Sequence, residues 1–305
     1  MSSDRGDADV AIHVANAPVS YGAFELTVGI DPDVPSAGEV LDAIAASGYE
    51  GVDLGPVGYF GTGGELTRAL RSRNLGLAGG YLEADVTSDP ARAVAGLNAP
   101  MDCFDVASEG VPAYLRPRPT IALVFGGLSP AEQAGTERDL WQSAEGILGL
   151  LTVASRDPGY EPCLHNELGT LISSDADVAR GMQLSDISLC PDTGHYFAGG
   201  GDPLAALRTW GDRIYQVHVK DSHREPYLRV VADGRPVSAI WDEEVFCKLG
   251  DGEAEVRLFL EVLVQSGYSG WLVVEQDTLP RGAESYARAG DDQVRNRAFL
   301  RQVGI

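Results

Sequence analysis

Four apolar runs in the second half of the chain end on residues that can bind a metal or move a proton: CLHNE at 163–167, LCPDTGH at 189–195, YQVHVKD at 215–221 and LVVEQD at 272–277. They carry His165 and Glu167, then Asp192, His218 and Glu275. Burying any one of these groups without a partner is costly. Converging acceptors of mixed nitrogen and oxygen type satisfy one another through a divalent cation of the Mn²⁺, Co²⁺, Zn²⁺ or Mg²⁺ kind. A lone carboxylate at a strand end commonly caps the next helix or pairs with an arginine. The joint pattern is more specific: three of the five histidines, His165, His195 and His218, fall at these ends, and only His13 and His223 do not. A Lewis-acidic ion beside a base suits removal of a proton next to a carbonyl.

For these residues to meet, the elements that carry them must share one rim. Short runs rich in Val, Ile and Leu (12–19, 51–56, 75–82, 120–127, 160–167, 187–193, 213–221 and 270–277) alternate with helical periods. The helical candidates are 36–48, 63–73, a segment within 88–107, 130–155, 175–184, 202–211, 253–267 and 281–302. Alternation of this kind means parallel strands with helical crossovers, and eight units in one chain predict a single (β/α)8 TIM barrel over 11–305. A doubly wound open sheet would carry a glycine-rich phosphate turn after its first strand, and NAPVSYGAF has neither GxGxxG nor GxxxxGK[ST]. The glycine clusters GTGGE (61–65) and AGGGDP (198–203) read as loops and helix entries. In a closed barrel the carboxyl ends of the strands surround one mouth, where active sites of this fold lie.

Spacing marks one irregularity. Glu167 to Asp192 is 25 residues and Asp192 to His218 is 26, but His218 to Glu275 is 57. Residues 222–252 therefore read as an insertion on the catalytic rim, with room for a short hairpin. Its Tyr227, Ile240, Trp241 and Phe246 are expected to need cover, from a bound ligand or a neighbouring chain.

Composition narrows the partners. The 305 residues carry 23 Lys and Arg against 45 Asp and Glu, a net charge of −22, which disfavours nucleic acid and anionic membrane surfaces. No apolar run is long enough to cross a bilayer, and residues 1–10 read as a polar tail without the features of a signal peptide. Four widely spaced cysteines without a CxxC pair fit reduced thiols, so a cytoplasmic location is expected.

The segments PDTGHYFAGGGDP, DRIYQVHVKD and GWLVVEQD, with ASGYEGVDLGPVGYF near the start, resemble the xylose-isomerase-like sugar isomerase and epimerase barrels, most of all their inosose dehydratase branch. The resemblance spans roughly residues 12 to 280. It implies one divalent metal, Mn²⁺ foremost, held by residues of strands five to eight, and a keto-sugar or keto-cyclitol substrate. By position, Asp192, His218 and Glu275 match the ligands of strands six, seven and eight. Strand five offers His165 and Glu167, two apart and so on one face. The assignment favoured here makes Glu167 the fourth ligand and His165 the general base, with the exchanged roles as the alternative. His195 is placed to bind a substrate hydroxyl or act as acid, and Lys220 to polarise the carbonyl or pair with Glu275. The resemblance favours a lyase that forms an enolate and expels a β-substituent, as an inosose dehydratase or a 3-oxo-glycoside deglycosidase does. An isomerase or epimerase would use the same enolate, and a noncatalytic sugar-binding or assembly subunit would retain only the barrel. A homo-oligomer or a complex with a small partner subunit is expected.

Overall fold

The computed structural model describes residues 11–128 and 130–305. Residues 1–10, expected to form a tail, lie outside the described residues.

Among the described residues ten strands occur, in chain order: β1 (Ile12–Asn16), β2 (Gly51–Asp53), β3 (Gly76–Asp85), β4 (Arg118–Val124), β5 (Cys163–His165), β6 (Ser188–Cys190), β7 (Val217–Val219), β8 (Asp221–Ser222), β9 (Phe246–Cys247) and β10 (Gly270–Val274). Eight form one parallel sheet in the order β6-β5-β4-β3-β2-β1-β10-β7. Single parallel bridges, Leu189 with Ile214 and Asp192 with His218, join its two ends. The result is the expected (β/α)8 barrel, nearly closed, with β10 as the eighth barrel strand.

Helices form where the sequence starts and stops them. Ser36 and Glu39 make a reciprocal capping box at Ala37–Ser47, which ends on Gly48 in the left-handed region (φ 85°). Ser174 caps Asp175–Leu184 in the same way, and Asp202 caps the Pro203–Trp210 helix. Their apolar faces bury Ile44, Leu66, Phe104, Ile147, Phe259 and Leu300 in the core shared with the strands.

Within the barrel, side chains alternate with period two. A small cluster, Ala15, Ala17, Ala78, Trp271 and Val273, packs as a floor. The Trp271 ring needs glycine opposite it, since a Cβ on Gly51 would approach that ring to 2.6 Å. Glu275 follows Trp271 and Val273 in phase, and so faces inward above this floor.

Several strands end sooner than the sequence suggests. The run expected to reach 193 stops at Cys190, because Asp192 becomes the N-cap of the Thr193–Ala198 helix. After β5, the amide of Glu167 binds Ile172 O rather than a neighbouring strand.

The 222–252 segment contains two helices, Arg224–Ala232 and Ala239–Asp242, and β9, which pairs antiparallel with β8 in the expected hairpin. The buried Asp221 carboxylate ties its return to the barrel, accepting from the amides of Ser222, Gly250, Gly252 and Ala254 at 2.8–3.1 Å. The expected need for outside cover is corrected here. Ile240 and Phe246 are buried with Val245 against Leu168 and Ala198, on the loops after β5 and β6, while Tyr227 and Trp241 pack partly buried against this cluster. Trp241 also meets Phe24, in the loop after β1, at 5.3 Å between ring centroids. The segment thus crosses the mouth with these four side chains packed on its own chain, while Leu228, Val231 and Val237 stay exposed. No helix among the described residues is long and apolar enough to cross a membrane.

Candidate active site

Among the described residues, His165, Asp192, His218 and Glu275 are the acidic and imidazole groups brought together with metal-site spacing. They are all buried, and one candidate ligand atom from each lies within 4.8 Å of the others. Of the strand-five pair, His165 enters this cluster and Glu167 does not. Glu167 Oε2 instead accepts from the Tyr81 hydroxyl at 2.5 Å. The set favoured from the sequence, with Glu167 as fourth ligand, is therefore not the one the fold assembles. The cause is local: β5 ends at His165, and the turn through Thr170 takes Glu167 out of the strand's alternation.

The cluster holds several buried polar atoms with no hydrogen-bond partner: both ring nitrogens of His165, Asp192 Oδ2 and His218 Nδ1. Such orphans are rare in a folded protein and are expected where an ion belongs. The rest of each group is held. Asp192 is fixed by Asn166, whose Oδ1 accepts from the Asp192 amide at 2.9 Å and whose Nδ2 donates to Asp192 O at 3.1 Å. Asp192 Oδ1 accepts from the His195 amide at 2.9 Å, while Oδ2 faces both the cluster and the Lys220 ammonium, 3.2 Å away. His218 Nδ1 is 3.2 Å from Glu275 Oε1 without the alignment of a hydrogen bond. On the other side of that ring, Nε2 lies 3.3 Å from the Gln216 amide. Burial, then the neighbouring His218, push His165 well below the usual imidazole range, which keeps it in the neutral, ligating form.

Lys220 is almost wholly buried, with its ammonium 2.7 Å from Asp277 Oδ1, 3.1 Å from Glu275 Oε2 and 3.2 Å from Asp192 Oδ2. Burial alone would lower its pKa, but Asp192, Asp277 and Glu275 outweigh it and hold the amine charged. Pairing with Glu275, one of its two expected roles, is thus present. His195 lies on the same side, with Nε2 3.2 Å from Asp277 Oδ2, while Nδ1 accepts from the Leu168 amide at 3.3 Å. The Leu168 N–H fixes the tautomer with the proton on Nε2. Burial and Lys220 oppose a charge on this ring, whereas Asp192 and Asp277 favour one. The net effect raises the ring above the usual imidazole range, while the Leu168 amide, which needs a lone pair on Nδ1, favours the neutral form.

Sequence reasoning missed three residues. Asp277 stands two beyond Glu275, in the relation that singled out Lys220 after His218, so the signal was present. Tyr81 sits in the glycine-rich run of β3 with nothing in its spacing to mark it. Asp53, at the end of β2, has a buried Oδ2 without a partner, and burial pushes its carboxyl up to about 6.

The chain resembles known proteins over nearly its whole length. It is 25% identical over 268 residues to an inosose dehydratase of Lactiplantibacillus plantarum, covering 82% of this chain and 86% of that protein. Among solved structures, a probable 3-DHS dehydratase from Bacillus anthracis superposes with a TM-score of 0.63 at 12% identity, covering 94% and 98% of the two chains. An IOLI protein with a zinc atom bound superposes with a TM-score of 0.61 at 14% identity, with the same coverage. At these identities the two structures speak for the fold alone. The xylose isomerase-like TIM barrel model matches residues 41–299, and the chain belongs to that family.

Proposed function

We propose that the chain is a metal-dependent lyase acting on a keto-sugar or keto-cyclitol, removing a proton next to the carbonyl and expelling a β-substituent. The observation that carries this reading is the buried cluster of His165, Asp192, His218 and Glu275, with ring nitrogens of His165 and His218 left without a hydrogen-bond partner. The relatives named inosose dehydratase support the choice of elimination. Two imidazoles and two carboxylates suit a divalent transition ion, with Mn²⁺ the first to test and Co²⁺, Zn²⁺ and Mg²⁺ as comparisons. Such an ion supplies Lewis acidity toward a carbonyl oxygen.

The roles of the strand-five pair are then exchanged relative to the assignment favoured from sequence. His165 is a ligand, and Glu167 is the base. Burial raises the Glu167 carboxyl, toward the range useful for proton transfer near neutrality. The Tyr81 hydroxyl donates to Glu167 Oε2 and leaves Oε1 to take the carbon-bound proton. The same carboxyl returns that proton to the departing hydroxyl, which leaves as water. His195, with its Nε2–H directed by Leu168 and Asp277, binds a substrate hydroxyl. Lys220 stays charged among three carboxylates and offsets negative charge that develops beside them.

The test is metal analysis of the purified protein, followed by incubation with keto-inositol and with 3-oxo-glycosides. About one divalent ion per chain and formation of an unsaturated carbonyl product are expected. A product with its substituents intact would make the protein an epimerase or isomerase, and neither metal nor turnover would make it a binding subunit.

A further inference from the structure

Gln216 has no part in the chemistry above, yet its side chain lies against a group that does. It stands immediately before β7, wholly buried, two residues ahead of His218 and so on the same inward face. Its amide Nε2 is 3.3 Å from His218 Nε2, and its Oε1 is buried with no hydrogen-bond partner. Space for the amide comes from β3: a Cβ on Gly79 would approach Gln216 Nε2 to 3.0 Å and Oε1 to 3.1 Å. The position thus holds a polar group, with an orphaned oxygen, where an apolar side chain would bury without penalty.

The two ring nitrogens of His218 face different neighbours. Nδ1 is unpartnered and 3.2 Å from Glu275 Oε1, on the side of the cluster, while Nε2 faces Gln216. A neutral imidazole carries one proton. With the amide nitrogen toward the ring, Nε2 has to accept, the proton sits on Nδ1, and the lone pair that a cation needs is absent from the cluster. With the amide turned by half a turn about its last bond, Oε1 accepts from Nε2–H and Nδ1 keeps its lone pair. The two orientations have the same shape, so the hydrogen bond chooses between them. Ligating imidazoles are generally oriented by an acceptor on their other ring nitrogen. The Cys190 thiol, also beside this ring, is held protonated by burial and offers sulfur only as a weak acceptor. Gln216 Oε1 is the stronger of the two.

We propose that Gln216 is a positioning residue for the candidate metal centre: its carbonyl takes the Nε2 proton of His218 and so presents a bare Nδ1 to the ion. The proposal rests on the metal reading of the cluster and not on the choice of substrate. Zn²⁺ binding is measured by chelator competition on wild type, on Gln216→Met, which keeps the bulk and removes the acceptor, and on Gln216→Glu, which keeps the acceptor. In the Zn²⁺-loaded wild type, long-range proton–nitrogen correlation NMR of labelled histidines, with His218 assigned by its loss in His218→Gln, reads which ring nitrogen carries the proton. The expected result is a Kd raised roughly 10- to 100-fold in Gln216→Met, a Kd no weaker than wild type in Gln216→Glu, and the His218 proton on Nε2. A Gln216→Met affinity within two-fold of wild type, or an equal loss in Gln216→Glu, would make the residue a packing group and overturn the proposal. A proton on His218 Nδ1 in the loaded protein would overturn it as well. Should Gln216→Met fail to fold, the Gln216→Glu affinity and the wild-type spectrum decide. A wild type that binds no Zn²⁺ overturns the metal reading itself, an outcome separate from a bound ion that is indifferent to Gln216.

Discussion

The ends of β5 and β10 present the same pattern and reach opposite outcomes. Each carries two chemistry-bearing residues two positions apart, His165 and Glu167 after β5, Glu275 and Asp277 after β10. After β10 both members stay at the centre: Glu275 keeps a ladder bond from its amide to Val219 O, and the Gln276 amide is anchored on Ser20 Oγ. After β5 only His165 does. The Glu167 amide turns to Ile172 O, and its carboxyl leaves the cluster for Tyr81. Alternation inferred from sequence therefore holds only as far as interstrand bonding continues, and the first turn beyond it can re-aim a side chain.

The largest effect that tests this contrast is expected at His165. His165→Ala should remove bound metal and turnover together, because it takes away one of the four groups that meet with metal-site spacing. Metal content by inductively coupled plasma mass spectrometry, alongside a turnover assay, checks it. Full metal occupancy in this variant would return Glu167 to the ligand set.

Glu167→Gln is the complementary change. It should keep the metal while turnover drops by roughly 10²–10⁴, the usual contribution of general acid–base catalysis. The same two measurements serve, and loss of metal here would erase the distinction drawn between the two strand ends.

Asp277→Asn addresses the β10 side. The substitution keeps the shape and removes the charge that holds Lys220 and orients His195. Charge-assisted hydrogen bonds of this kind contribute roughly 1.5–3 kcal/mol, so kcat should fall by about 10- to 100-fold with metal retained. Unchanged kcat would show that the two carboxylates after β10 do not act as a unit.

Much of the architecture was legible because the signals are repetitive. Eight apolar runs separated by helical periods admit few closed arrangements, and Ser36, Gly48 and Ser174 mark helix ends by ordinary capping chemistry. The central groups were legible for a related reason, since polar residues after buried strands need partners. What the sequence did not disclose depends on loops. The turn after β5 re-aims Glu167, the Thr193–Ala198 helix shortens β6, and the 222–252 segment covers Ile240 and Phe246 with residues of the β5 and β6 loops. These outcomes follow from contacts between segments far apart in sequence, which no local spacing encodes.

The smallest expected effect concerns Tyr81, the residue that draws Glu167 away. Its hydroxyl is held unionised by burial, then by the adjacent Glu167, which push its pKa well above the usual tyrosine range. It is therefore a donor to Glu167 Oε2 throughout the accessible pH range. In Tyr81→Phe the ring and its edge-on contact with His165, at 5.9 Å between centroids, are kept and only the donor is lost. A single neutral donor to a carboxylate contributes roughly 1.5 kcal/mol, so turnover should fall by about ten-fold or less, with metal content unchanged. Because the carboxylate loses its donor, it becomes harder to keep ionised, and the acid limb of the rate profile should move to higher pH. A Tyr81→Phe protein with an unmoved profile would mean that Glu167 is not the group whose ionisation controls the rate. One that binds metal more tightly than wild type would mean that this hydrogen bond alone holds Glu167 out of the cluster, and that the turn after β5 leaves the choice of fourth ligand open.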